Sequence, residues 1–376
     1  MGFLIDVGTR DETQETSGAL LALKNTYLKT LKHTNETVNY GMIQMSGGDL
    51  SMDYNQEHTY FKGNCIEYDV IDMFQMLVDV ALEPKSVLAA NVARSKNRKT
   101  HDLHHHLAKF DPFKNHTDLL LRTAYGYNTL GMPHLGLESN IDNLDARVLQ
   151  KFVMDNVTPK KCVIVGSGVR NHQEFVDLVK ERIGELLPVP EHNFVRQQSN
   201  YIGGEYRTWT ETPQTRVTLG FEGAQWSSND AVALDVAHAL IGESALKGAG
   251  QLSRASTLLH EHRYVDYASS INTHFADSGL FGVTVEGPGS HSKDLLNVAV
   301  ETLSELRSGI DGKALDRAKN QLILDVARAH DNQGDRLEEI AKNYLVHQGQ
   351  LTFHQYIQAV ENVTQYDVNA AIEKLL

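Results

Sequence analysis

The densest set of metal-ligating side chains is His101-Asp102-Leu103-His104-His105-His106. On a helix His101 and His105 share a face one turn apart, which is acceptable geometry for a metal pair. A metal centre also needs further donors fixed in place. Spacing supplies no carboxylate or histidine partner for this pair, so a polar helix surface accounts for the same residues. His260-Glu261-His262 offers less, because alternate residues of a helix point apart. A third stretch runs from Gly8 to Thr30. There Gly8-Thr9-Arg10 closes an apolar strand (Phe3, Leu4, Ile5, Val7), acidic and hydroxyl residues follow, and Ser17-Gly18 opens a helix with Leu20, Leu23, Tyr27 and Leu31.

The elements that would position these groups follow from periodicity and turn residues. Tyr40 to Met45 reads as a strand, Ser46-Gly47-Gly48 as a turn, and Asp49 to Lys62 as further strand, with Tyr68 to Leu82 a helix stopped at Pro84. A helix from Asp142 to Asn156, a strand from Lys161 to Gly166 and a helix from Asn171 to Leu187 close the first half. The run from Pro188 through Gly204 has turn residues and little periodicity. Beyond it the grammar repeats. Arg216 to Glu222 is a strand, Asp230 to Ile241 a helix, and Tyr264 to Thr284 a strand pair broken at Ala276-Asp277-Ser278-Gly279. Helices follow at Leu295 to Leu306, Gly312 to Ala329, Arg336 to His347, Phe353 to Val360 and Val368 to Leu375. The expected architecture is α+β, with two copies of one unit, each an antiparallel sheet packed with helices: 1–190 and 205–376 joined by a linker at 191–204.

Composition bounds the function. The 376 residues exceed one ordinary core, and a 41% hydrophobic content belongs to a globular chain. A net charge of -13 argues against nucleic acid, whose phosphates reward clustered Lys and Arg. No apolar run approaches the roughly 18 residues of a membrane span. Cys65 and Cys162 fit buried thiols of a reducing compartment better than a disulfide framework. Met1-Gly2 leads straight into a strand without an Arg-rich amphipathic leader, so the start is expected to be incomplete or processed.

The Gly8 to Thr30 stretch resembles the opening of the pitrilysin-type zinc peptidases, in which a Gly-Ser-Arg-x-Glu strand end leads into a helix carrying His-x-x-Glu-His. Counted from Gly8, Glu12 and Gly18 keep the family register, and Leu21, Lys24 and Asn25 fall on the His, Glu and His positions. Leucine donates nothing to zinc, and a lysine with an ordinary pKa of about 10.4 is a cation, not a base. The family's third ligand is a downstream glutamate, and none occurs between Glu83 and Glu138. Ser51-Met52 also stands where catalytic relatives carry Asn-Ala. The segment from Ala124 to Gly136 is similar to a family loop.

Tyr201 to Arg207, Gln214 to Gly223, Asn272 to Gly282 and Arg317 to Leu322 resemble, in order, the processing-peptidase α-subunits and core proteins of respiratory complex III within that family. The resemblance spans nearly the whole chain and implies two homologous domains forming a clam-shell. It also implies a non-catalytic core subunit on the matrix side of the mitochondrial inner membrane, without a cofactor of its own. Its implied partners are a homologous β-type subunit, cytochrome b, cytochrome c1 and, through a glycine-rich loop, basic presequences. Gly242, Gly248 and Gly250 remain in that loop, while Glu243, Ala245 and Leu246 replace residues expected to be glycine or small. An ordinary helix-to-helix turn is the competing reading of the loop. Two other functions compete: a soluble processing-peptidase α-subunit serving a catalytic β-subunit, and a metallohydrolase built on His101–His106.

Overall fold

The computed structural model describes residues 1–28, 36–82, 116–183, 196–209, 212–244, 253–347 and 352–376. The apolar run behind Met1 forms β1 (Gly2–Ile5), which pairs antiparallel with the second strand of a hairpin, β2 (Asp49–Tyr54) and β3 (Thr59–Asn64), and on its other side with β4 (Cys162–Val165). The sheet order is β2-β3-β1-β4. Helices α1 (Ala19–Lys24), α2 (Glu36–Met45), α3 (Val70–Leu82), α4 (His116–Tyr125), α5 (Ala146–Asn156) and α6 (His172–Ile183) belong to the same unit. Strand alternation puts Phe3, Ile5, Met52 and Phe61 on the face that meets Leu20, Phe74, Leu77 and Phe152 from the helices. Burying a side chain of that size contributes about 1.5–3 kcal/mol.

Tyr40–Met45, expected as a strand, lies in α2. The buried residues there are Asn39 and Ile43, four apart, while Tyr40, Met42 and Met45 are exposed, so the period is helical. Gly47-Gly48, expected as a hairpin turn, ends this helix: Gly47 has φ 63° and Gly48 N–H donates to Ile43 O at 3.2 Å.

The second unit repeats the first strand, helices and hairpin. It holds β5 (Gln214–Glu222), α7 (Asp230–Ile241), β6 (Glu243–Ser244), α8 (Arg254–Glu261), β7 (Tyr267–His274), β8 (Gly279–Pro288), α9 (Ser292–Ser308) and α10 (Gly312–Asp331). In the order β5-β8-β7-β6, β5 pairs with the second hairpin strand as β1 does in the first unit. The fourth strand sits at opposite ends of the two arrangements, beside β1 in one and beside the first hairpin strand in the other.

After α10 the chain supplies α11 (Gln333–His347) before completing the second unit with α12 (Phe353–Asn362) and α13 (Gln365–Leu375). Residues Asn332–Gly349 group with Met1–Gln198, whereas Ser199–Asp331 and Gln350–Leu376 form the other unit. This division differs from the sequence boundary, which keeps 205–376 together. The reason is packing: Leu337 and Ala341 of α11 cover Leu4, Tyr60 and Val165, the side chains that alternate away from the first core. Capping boxes at Thr352/Gln355 and Thr364/Asp367 fix the starts of α12 and α13. Among the described residues no helix is long and apolar enough to cross a membrane.

Candidate functional site

The first unit builds its polar corner from the end of β1. A Cβ at Gly8 would lie 2.3 Å from backbone atoms of Gln56 and Glu57, so only glycine lets the strand end press against the β2–β3 turn. Thr9 and Arg10 N–H donate to Asn55 and Gln56 O at 3.1 and 3.0 Å, and the buried Arg10 guanidinium pairs with Glu57 at 2.5 Å. Arg196 reaches in from 190 residues away, pairing with Asp6 and Asp11 at 2.9 Å each. Breaking the buried Arg10–Glu57 pair by removing one partner costs about 3–5 kcal/mol.

Glu12 turns the corner into α1. Its two carboxyl oxygens accept from Gly18 N–H at 2.8 Å and Leu20 N–H at 2.9 Å and so give first-turn donors of a short helix the acceptors they lack. Burial pushes its carboxyl up to about 8, outweighing the lowering effect of these N–H bonds. Glu12 therefore orients α1, and α1 carries the three positions read against the zinc motif.

Leu21 is buried in the apolar core, 4% exposed. Lys24 points outward, pairs with Asp53 of β2 at 2.5 Å, and lies 5.8 Å from the Tyr54 ring centre. Asn25 closes the helix, its N–H donating to Leu21 O at 3.0 Å. A cavity of about 60 Å³ beside α1 is lined by residues including Leu20, Leu23, Met52, Phe61 and Phe152, with no carboxylate or imidazole on its wall. This donor set does not fit zinc: one position is hydrocarbon facing inward, and another is a cation already held by a carboxylate.

Beside Lys24 the structure brings together residues that sequence reading did not single out. Tyr54 stacks on His134 with centroids 4.4 Å apart and donates to His134 O at 2.9 Å, and His134 N–H donates to Asp118 at 2.9 Å. Burial, then the charge of Lys24, lowers the His134 pKa, and burial raises that of Asp118. The only sequence signal for His134 was its place in the Ala124–Gly136 loop. No signal pointed to Arg196, which sat in the expected linker.

The other sequence candidates are described only in part. His101–His106 lie outside the described residues, as do Gly248 and Gly250. His260 and His262 end α8, where His262 contacts Tyr264 OH at 3.3 Å. Among the described residues no three His, Cys, Asp or Glu side chains gather as a metal group. Gly242 caps α7 with φ 68°, and a Cβ there would lie 2.8 Å from Ser253 Cβ. Glu243-Ser244 continue as β6 against β7, with Tyr267 OH donating to Glu243 at 3.0 Å. At its described start the loop is thus anchored, and its first glycine meets a backbone requirement.

Residues 143–322 match the family described as Peptidase M16 inactive domain. Fold and sequence thus define the class the chain resembles, the processing-peptidase kind of pitrilysin-type protein. In particular, it is 26% identical to a mitochondrial-processing peptidase subunit beta of Blastocladiella emersonii, across 100% of this chain and 81% of that one. It is 23% identical to subunit alpha of Solanum tuberosum, across 100% of this chain and 75% of that one. A chain of the solved structure titled "Complex III2 from Candida albicans, Inz-5 bound" has the same fold, with TM-score 0.84 at 16% identity, covering 99% of this chain and 87% of that chain.

Proposed function

We propose that the chain is the non-catalytic member of a pitrilysin-type pair and serves as a core subunit of mitochondrial complex III, with a structural and assembly role. The carrying observation is the Leu21, Lys24, Asn25 set: α1 is held in place by Glu12, yet the helix presents neither ligand nor base. Its partners in this reading are a homologous β-type subunit, cytochrome b and cytochrome c1. Attachment to the matrix side of the inner membrane is through them. Whole-length similarity to processing-peptidase subunits of both kinds supports a second reading, a soluble α-subunit that receives basic presequences for a catalytic β-subunit.

Isolation of the native complex containing this chain separates the two. A β-type chain together with haem-bearing membrane subunits is the expected result, and a haem-free soluble heterodimer would replace the first reading by the second. Stoichiometric zinc on the isolated chain would overturn both. The combined Leu21→His, Lys24→Glu and Asn25→His variant is expected to stay without peptidase turnover, because it restores two ligands and a base but not the third ligand.

A further inference from the structure

The second unit contains a part-buried polar network centred on α7. Asp235, on α7, receives Asn272 Nδ2 at 2.8 Å and His274 Nε2 at 3.0 Å on one oxygen, and Tyr356 OH of α12 at 2.7 Å on the other. With three donors converging, the carboxylate acts as an acceptor on both oxygens. His274 Nδ1 lies 2.7 Å from the carbonyl oxygen of Ala224. A backbone carbonyl only accepts, so Nδ1 carries a proton; Nε2 lies 3.0 Å from the Asp235 oxygen and 3.2 Å from the Asn272 amide nitrogen, and a proton there is held by the nearer, charged acceptor. With both nitrogens protonated the ring is an imidazolium; it is 7% exposed and bridges α7 to the loop between β5 and α7.

The surroundings leave that charge to Asp235. His238, one turn along α7, sits 2.7 Å from Ser270 Oγ, and the same hydroxyl donates to His238 O at 3.0 Å; burial lowers the His238 pKa, so it adds no competing positive charge at neutral pH. From α12 the facing group is the Tyr356 phenol, whose pKa burial and then Asp235 raise. On the adjoining strand end and turn, Glu222 accepts from Ser278 Oγ at 3.0 Å and Asp277 from Ser199 N–H at 2.7 Å. Trp226, in the loop itself, has its ring tilted against His274 with centroids 5.3 Å apart, and its backbone N–H donates to Phe275 O at 2.9 Å.

We propose that His274 is a proton-operated latch: doubly protonated, it ties the loop at 223–229 to Asp235, and loss of one ring proton releases the Ala224 side and opens the loop. The carboxylate is the stronger acceptor, so the neutral ring keeps Nε2–H on Asp235 and gives its Nδ1 proton to water. The Nδ1 lone pair then confronts the Ala224 oxygen. Burial alone would lower the His274 pKa, but the bonds to Asp235 and Ala224 raise it above its ordinary 6.5. Stability from the latch is accordingly full below pH 6.5 and is lost as pH rises through the folded value. The loop leads directly into α7, which starts at Asp230.

The test uses the full chain with Trp209→Phe, which leaves Trp226 as the single indole. An imidazolium against an indole quenches its emission. Trp226 fluorescence and the His274 ring proton shift are expected to titrate together with a midpoint above 6.5. Over the same range, amide exchange at Gly223 and Trp226 should accelerate beyond the intrinsic rise with pH. His238→Gln is expected to keep the transition and His274→Gln to abolish it. A ring midpoint below 6.5, or titration without faster exchange in the loop, would overturn the latch. Both readouts come from a chain in which His274 is intact, so they decide even if His274→Gln does not fold.

Discussion

Glu12 is the residue on which the α1 corner depends, and its titration makes that dependence measurable. A carboxyl raised from 4.5 to about 8 binds its proton more tightly in the folded chain than in the unfolded one. Its stability contribution is full below pH 4.5 and is lost as pH rises through about 8. His58 works in the opposite sense. Burial, then the charges of Lys342 and Arg196, hold it near 3, so its contribution is full above 6.5 and is lost as pH falls through about 3. Above pH 6.5 the His58 effect is constant. Relative to wild type, Glu12→Gln should flatten the fall of stability from there to about pH 8.5, by up to about 1.4 kcal/mol per pH unit in denaturant titrations. Identical slopes would mean that Glu12 is already ionised in the folded protein. The place of Glu12 at the α1 corner was legible because it lies within one short register counted from Gly8. Arg196, Asp118 and His134 were not, because their partners are distant in sequence and only the folded sheet brings them together.

Elements were legible where one face decides them. α7 runs from Asp230 to Ile241, as its pattern predicts, whereas α2 buries only Asn39 and Ile43 and leaves Tyr40, Met42 and Met45 exposed, so its apolar residues do not mark the helical face. Gly242 ends α7 with a φ of 68° and a close approach to Ser253, a conformation that disfavours any side chain there. Gly242→Ala should therefore cost about 1–3 kcal/mol in the second unit, measurable by urea unfolding, and a neutral substitution would show that this end relaxes freely. The amphipathic pattern of α11 gave its existence but not its destination, since an apolar stripe fits either sheet. Leu337→Asp puts a charge against Leu4 and Val165 and should destabilise by about 2–4 kcal/mol. Hydrogen exchange should quicken in β1 and β4 and not in β7 and β8. Uniform loss of protection in all four strands would contradict the assignment of α11 to the first sheet.

For the whole molecule, the proposed pairing has a solubility consequence. An obligate interface in this size class buries roughly 2,000 Å² or more, and a subunit deprived of it is prone to unfold or aggregate. Co-expression with a β-type partner should raise both soluble yield and melting temperature over the chain expressed alone. A monodisperse single chain with an unchanged melting temperature would defeat the pairing. The return of α11 to the first unit also sets an order of events during synthesis. β4 is complete at Val165, but the helix that covers its second face begins only at Gln333. At a ribosomal rate of about 5–20 residues per second, the nascent sheet waits roughly ten to thirty seconds with Leu4, Tyr60 and Val165 uncovered. The first unit thus waits on a helix encoded far downstream of its strands, and a holding chaperone acting on the emerging chain has that interval in which to bind.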